Sequence, residues 1–515
     1  MTGGQLRGLI AAVDPDVQAI GWSTDLDAQR LGGIAYDSRQ VVSHGVFFGL
    51  RGEHADGASF AGQAVARGAS LIVAESMPAP ALERPWLIVR DARRTLAAAA
   101  AAWYGHPSRQ MQVVGITGTN GKTTTAYLMA AIFEAAGASC GLLGTVAYRI
   151  GKQEREATRT TPEAPDVQRM LREMADAGCG AAVMEASSHA LALHRVDDIR
   201  FAAAIFTNLT REHLDYHHDM DRYFAAKRRL FDMLEPGVPA VVNLDDPRGP
   251  ELAASVSQPV TYGIDRRADI MPGPLSFSLE GLRFEIRTPR GSLNVASPLV
   301  GRPNVYNILA AVGAATALDI PFAEIERGVA SLARVPGRFQ VVSDAADEIT
   351  VLVDYAHTDD ALRNLLETAR PLSAGRLITV FGCGGDRDRS KRPLMGAVAA
   401  RLSDVVIVTS DNPRSEDPQR IIEEIQRGLA AGAARDPKRE PAAQLAIVDR
   451  RAAILKAVQL ARAGDLVLVA GKGHEKTQVI GDRALPFDDV AVATEALAGR
   501  RGAGGVARRA PAERR

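Results

Sequence analysis

The run Gly115-Ile-Thr-Gly118-Thr-Asn-Gly121-Lys122-Thr123-Thr124 carries the chemistry most easily named. Glycines let backbone N–H groups approach phosphate oxygens, and the start of a following helix adds free donors and a positive dipole end. Gly118, Thr119, Asn120 and Gly121 would form such a cradle. Lys122 would reach the terminal phosphates, Thr123 could ligate magnesium, and Thr124 would lead into the helix. The spacing departs from the strict pattern: five residues separate Gly115 from Gly121, and Ile116 takes the usual glycine position. A plain glycine turn is the alternative, and Gly-Lys-Thr-Thr at a helix start argues against it.

Other reactive side chains stand at the ends of apolar runs. Glu185 closes Ala181–Glu185, a usual place for a carboxylate that holds magnesium beside a phosphate loop; a capping or paired glutamate is the plainer alternative. His213 sits in an acid-flanked loop after another apolar run, suited either to a metal or to a structural role. Amphipathic spacing alone makes Lys227, in Tyr223-Phe-Ala-Ala-Lys227, a solvated helix lysine. Asp411-Asn412-Pro413-Arg414 follows a further apolar run and is a turn signal in its own right.

The elements that must position these residues fall into three blocks of an α/β chain. Residues 1–109 hold short apolar runs (Val46–Leu50, Ser70–Val73, Trp86–Val89) with a helix-like stretch at Ser59–Arg67, a small α/β domain. Residues 110–336 open with the strand Gln112–Ile116 and a helix over Thr123–Ala136. Strands at Ala181–Glu185, Phe201–Phe206 and Ala240–Leu244 then imply a mainly parallel sheet covered on both faces. Residues 337–499 restart the pattern. Strands at Ile349–Asp354, Leu377–Phe381, Val405–Thr409 and Leu466–Ala470 alternate with helices at Asp360–Ala369, Arg392–Leu402 and Pro418–Ala430, a Rossmann-like doubly wound domain. The Gly-, Ala- and Arg-rich tail, 500–515, is expected to be disordered.

Composition narrows the class. Lys+Arg and Asp+Glu both number 61, so net charge offers no attraction to nucleic acid or an anionic membrane. The 3 cysteines, Cys140, Cys179 and Cys383, form neither a metal-ligand spacing nor a disulfide framework. No signal peptide or membrane span is visible, so the chain is expected in the cytoplasm, acting as a monomer without nucleic-acid or membrane partners.

The motifs GTNGKTT, EASSHAL, TNLTREHLDYH, GRPNVYN, VDYAHT and GKGHE, in that order over residues 20–495, resemble the Mur ligase family. Its members build the peptide stem of bacterial peptidoglycan. The resemblance implies an N-terminal uridine-binding domain, a central ATPase domain of phosphate-loop type and a C-terminal domain for the incoming amino acid. It implies ATP as co-substrate, with Lys122 acting in catalysis. It also implies Mg²⁺ at Thr123, Glu185, His213 and a carbamylated Lys227, in which CO₂ turns the ammonium into an anionic oxygen donor. Asn304, Asn307, Arg338 and Asp354 match positions on the adenine, phosphate and ribose of ATP. Asp359 replaces a proline common in relatives.

For the acceptor, a UDP-MurNAc-dipeptide, the resemblance implies Thr160, Thr161, Ser187 and Arg195, with Tyr36, Ser38, Glu53, His54 and Ala55 on the uridine side. As plain sequence the last two stretches are turns. Asp411-Asn412-Pro413-Arg414 matches the signature of members that add meso-diaminopimelate, an amino acid that differs from lysine chiefly by a second carboxylate. Leaving that group unpaired in a desolvated site costs several kcal/mol, and Arg414 can pair it bidentately. Arg387 would take the other carboxylate, and Gly471 and Glu475 an ammonium. The expected reaction phosphorylates the glutamyl carboxylate of UDP-MurNAc-L-Ala-D-Glu and passes the acyl group to the amine. A folylpolyglutamate-type ligase, a lysine-adding relative and an ATP-binding switch are the alternatives.

Overall fold

The computed structural model describes residues 1–52, 55–78, 83–278, 280–344, 346–433 and 442–507. Three α/β layers follow one another along the chain. In the first, a five-stranded sheet runs in the order Gln18–Ile20, Trp86–Ile88, Ala69–Ala74, Gly45–Gly49, Ile34–Ala35. Every residue of Gly45–Gly49 is buried because both faces are covered. Leu6 and Ile10 of the helix Gly3–Val13, with Leu96 and Ala99 of Ala92–Trp103, meet Val46, Phe48 and Leu71 on one face. Phe47, Ile72 and Trp86 pack with Ala61 and Ala64 on the other.

The second layer is an eight-stranded sheet in the order Pro259–Tyr262, Ala240–Asn243, Ala203–Phe206, Gln112–Thr117, Ala181–Glu185, Cys140–Leu143, Ala147–Ile150, Gln153–Glu156. Its pairings are parallel up to Cys140–Leu143, and the last two strands add an antiparallel hairpin. The strand that feeds the phosphate loop lies between Ala181–Glu185 and Ala203–Phe206, so the crevice at their carboxyl ends receives Thr117, Glu185 and Thr207 together.

A separate four-stranded antiparallel sheet spans Met271–Pro272 to Gly291–Ser297, a feature the sequence reading lacked. In Gly281–Thr288, Leu282, Phe284 and Ile286 are buried while Arg283, Glu285 and Arg287 are exposed. That alternation marks a sheet with one wet face, unlike the continuous apolar runs of the parallel strands.

The third layer is six-stranded: Gln340–Val341, Thr350–Asp354, Leu466–Ala470, Leu377–Phe381, Val405–Val408, Ala443–Ala446. All pairs are parallel except the first. Its carboxyl ends present Asp354, Gly471, Gly382 and the turn after Val408 on one edge.

One expectation is corrected. The helix Asp489–Ala507 runs through the start of the supposed disordered tail. Arg500 Nη1 donates to the carbonyls of Val458 (3.2 Å) and Ala461 (2.8 Å), and Arg501 pairs with Asp344 and Asp347, which ties the first residues of that segment to the third layer. Residues 508–515 lie outside the described ones. Among the described residues no helix is long and apolar enough to cross a membrane. Cys140, Cys179 and Cys383 are buried and free.

Candidate active site

The phosphate loop joins Gln112–Thr117 to the helix Lys122–Ala135. Gly118 has φ +145°, and a side chain there would run into Thr207 Oγ1, so only glycine fits. Thr207 and Asn208 hold the loop from the neighbouring strand. Thr207 Oγ1 donates to Asn120 O (2.7 Å), Asn120 N donates to Asn208 Oδ1 (2.9 Å), and Thr119 N donates to Asn208 O (2.8 Å). Thr119 Oγ1 lies 3.1 Å from Tyr223 OH. Gly121 abuts Asn307 Oδ1, and Thr124 follows, buried, in the first helical turn.

Two lysines converge on one carbonyl. Lys122 Nζ donates to Gly118 O (3.0 Å) and Thr119 O (2.8 Å), and Lys227 Nζ donates to Gly118 O (2.7 Å). Lys227 is 2% exposed, against the solvated position its spacing suggests, and lies over the Tyr223 ring. Burial, with the charge of Lys122 second, drives its pKa well below that of an ordinary lysine. Burial also lowers Lys122, although Glu212 and Glu185 oppose it.

A polar chain crosses from the third layer into the loop. Arg338 Nη2 donates to Thr123 Oγ1 (3.2 Å), which donates to Glu185 Oε2 (3.1 Å). Thr145 donates to both Glu185 oxygens, from its N (2.8 Å) and Oγ1 (2.9 Å). Arg338 stacks on Tyr355. Asp354 accepts from the N–H groups of Phe339 and Ala356, both at 2.7 Å, and thereby fixes the segment carrying Arg338. Asn307 Nδ2 donates to Asn304 Oδ1 (3.0 Å), and Asn304 Nδ2 to Val300 O (2.7 Å).

Glu212, unremarked in the sequence, is the carboxylate at the centre of this region. His357 Nε2 lies 3.2 Å from its Oε1 and His213 Nε2 3.6 Å from its Oε2. Burial favours the protonated form, yet His357, His213 and Lys122 outweigh it and hold the carboxyl below its ordinary range. Burial pushes His213 down to about 4, which leaves a neutral imidazole with a lone pair. Thr123 and Glu185 form an oxygen pair of the kind a hard cation takes. Among the described residues no group of three or more His, Cys, Asp or Glu could hold a metal ion by itself.

The acceptor candidates gather on the other side of Glu185. Thr161 Oγ1 donates to Glu185 O (2.7 Å) and accepts from Ser187 N (3.1 Å), while Thr160 Oγ1 is 3.1 Å from Thr145 Oγ1. Arg195 donates to Thr161 O (3.1 Å) and pairs with Glu163 (2.7 Å). From the first layer, Tyr36 OH donates to Asp166 Oδ2 (2.7 Å). Ser38 bonds Gln63 within the first layer, and Ala55 O accepts from Gly52 N. Glu53 and His54 lie outside the described residues.

The amine-side candidates share one edge of the third layer. Arg414, at φ +52°, donates through Nη1 to Gly385 O (2.7 Å), and Arg387 donates to Asp386 O (2.9 Å). Pro413 O sits against Gly385, and a side chain on Gly471 would meet Asp411 Oδ2 at 2.6 Å. Asn412 Nδ2 donates to Glu475 Oε2 (2.8 Å). A cavity of about 1100 Å³ is lined by Thr160, Glu212 and His213 from the central sheet and by Arg387, Asp411, Asn412, Arg414, Gly471 and Glu475 from the third.

With this geometry in place, comparison with known proteins is direct. The Mur ligase middle domain matches residues 116–315, the Mur ligase glutamate ligase domain 337–473, and the Mur ligase family catalytic domain 30–104. A protein of Gloeobacter violaceus named UDP-N-acetylmuramoyl-L-alanyl-D-glutamate–2,6-diaminopimelate ligase is 47% identical over 93% of this chain and 98% of its own. The chain belongs to the Mur ligase family. A solved structure of a Mur ligase bearing the same enzyme name superposes with TM-score 0.66 at 33% identity, covering 96% of this chain and 99% of that one. The MurF ligase of Thermotoga maritima in complex with ADP matches at TM-score 0.58 and 19% identity over 92% and 98%, a likeness of fold.

Within this Mur ligase, Glu212, Thr207, Asn208, Tyr223, Thr145 and His357 are among the site residues that sequence reasoning did not single out. The first three lie inside the TNLTREHLDYH motif, whose acid-flanked histidine was the signal available. Tyr223 heads the helical face that also buries Lys227.

Proposed function

We propose that this Mur ligase joins meso-diaminopimelate to the D-glutamyl carboxylate of UDP-MurNAc-L-Ala-D-Glu, using ATP to make an acyl phosphate. One observation carries the reading: a single cavity is lined by Thr160 and His213 at one side and by Arg387, Arg414 and Glu475 at the other. Acid and amine could therefore meet within that cavity. The 47% identity to the relative of that name supports the choice of substrates. Dividing the chain at residues 109 and 336 would put acceptor, nucleotide and amine on separate domains.

In this reading the loop N–H groups and Lys122 cradle the triphosphate, and Arg338 approaches the same phosphates from the third layer. Thr160, Thr161, Ser187 and Arg195 present the acceptor carboxylate in line with the γ-phosphorus. Catalysis is positioning plus electrostatics, with no covalent enzyme intermediate. Magnesium held by Thr123 and Glu185, with a second ion at His213 and carbamylated Lys227, would neutralise charge on the phosphoryl oxygens. Burial lowers the pKa of Lys227 and so favours its neutral amine, which supports the carbamate: the lone pair would attack CO₂, a C–N bond form and a proton leave to solvent. The amine of diaminopimelate then displaces phosphate from the acyl phosphate, giving an amide, ADP and phosphate.

Phosphate release measured with each substrate omitted tests the reading. Release is expected only with ATP, acceptor and amine together, and with diaminopimelate well ahead of lysine. Rapid ATP hydrolysis without acceptor would indicate a switch, and equal use of lysine would remove Arg414 from selectivity.

A further inference from the structure

Behind the cavity wall lies a cation that the proposed chemistry does not use. Lys472, in the turn Gly471-Lys-Gly-His-Glu475, is 0% exposed. Its Nζ donates to Asn412 Oδ1 at 2.9 Å and to Glu475 Oε2 at 3.0 Å. Asn412 completes a triangle, since its Nδ2 donates to the same Glu475 oxygen at 2.8 Å while its Oδ1 also accepts from Val479 N at 2.9 Å. The backbone bond from Glu475 N to Lys472 O (3.0 Å) closes the turn and directs the two side chains to one spot. Glu475 is 31% exposed, so the triangle has a buried apex and a carboxylate that reaches the cavity.

Burying an ammonium is expensive unless a partner offsets the lost hydration, and a buried cation with one anionic neighbour holds that neighbour strongly. The surroundings show what this restraint prevents. Arg414 and Arg387 line the same cavity, and Glu475 already acts favourably on the charge of Arg414. A free Glu475 would be drawn toward the Arg414 guanidinium and neutralise the group meant for a substrate carboxylate. Held on Oε2 by Lys472 and Asn412, it keeps its other oxygen for an incoming ammonium. Cationic and anionic subsites thus stay apart, as an amino acid carrying both charges requires.

We infer that Lys472 is the positioning residue of the amine site: it sets Glu475 and the amide of Asn412 so that ammonium and carboxylate are recognised separately. This rests on the reading that Glu475 receives an ammonium of diaminopimelate. The experiment measures initial rates of the full chain against each substrate for the wild type, Lys472→Met, Glu475→Gln and the double variant. Lys472→Met should raise KM for diaminopimelate roughly 10- to 100-fold, with kcat and the KM values for ATP and acceptor within about 3-fold of wild type. Because Lys472 acts through Glu475, the double variant should be no worse than Glu475→Gln alone. Lys472→Gln, which keeps a donor but not the charge, should raise the same KM in the same direction but by less, and serves if the methionine variant does not fold. Additive losses, or losses spread equally over all three substrates, would overturn the positioning role. Unchanged diaminopimelate KM in Glu475→Gln would instead remove Glu475 from the site and sink the reading beneath it.

Discussion

The phosphate loop and the amine site solve similar recognition problems by different means. The loop is one continuous segment, braced by Thr207 and Asn208 from the adjacent strand, and in the proposed function its backbone would do the binding. The proposed amine site is assembled from turns around residues 384–387, 411–414 and 471–475, and there recognition would lie in side chains held by backbone and by other side chains. A backbone site tolerates little change in local conformation. A side-chain network can lose a member and keep its fold, so it is where specificity can change.

That contrast orders the expected effects of mutation. Lys122→Met removes the cation of the loop and should lower ligation about 1000-fold, since charge on the moving phosphoryl group goes unbalanced; a loss under 10-fold, roughly 1.4 kcal/mol, would place the catalytic charge elsewhere. Lys227→Ala should cost about 100-fold and recover in part with a short carboxylic acid, which would replace the oxygens of the proposed carbamate. No recovery at any concentration would count against carbamylation. Arg414→Ala should weaken diaminopimelate use by roughly 10- to 100-fold in kcat/KM, the worth of a charge-assisted contact, and narrow its lead over lysine. Unchanged kinetics would show that the amine site is not the network described.

The smallest effect tests a joint away from both sites. His194 lies 2.6 Å from Asp197 and 3.2 Å from Asp91, the residue that caps the helix Ala92–Trp103 of the first layer. Hydrogen bonds to Asp197 and Asp91 raise its pKa to about 9, against the opposing effects of burial and Arg229. Its folded pKa exceeds the ordinary value, so this stability is present in full below pH ~6.5 and lost as pH rises through about 9. His194→Gln should flatten thermal stability against pH across that window, with a loss of about 1–2 kcal/mol at its acid end. An unchanged slope would mean that the ion pair contributes nothing at this joint.

Much of the parallel framework was legible in the sequence. Ala181–Glu185, Leu377–Phe381 and Leu466–Ala470 are strands at the expected residues, because continuous apolar runs bounded by turns have few other uses. The antiparallel sheet over 271–297 offers no continuous apolar run; its signal is the alternation of Leu282, Phe284 and Ile286 with Arg283, Glu285 and Arg287, the mark of a half-buried strand. The Ala-rich helix Ala92–Trp103 and the helix Gly3–Val13 carry weak periodic signals and are held by tertiary packing. Lys227, Glu212 and Lys472 show the deeper limit. A charged residue is buried only when partners remote in sequence offset its desolvation, and spacing along one helix or turn does not reveal them.

In the proposed reaction the acceptor carboxylate takes the γ-phosphoryl group before the amine attacks. Labelling the D-glutamyl carboxylate of UDP-MurNAc-L-Ala-D-Glu with ¹⁸O and analysing the phosphate released during ligation tests it directly. One carboxylate-derived ¹⁸O is expected in each phosphate; unlabelled phosphate alongside normal peptide formation would rule out the acyl phosphate.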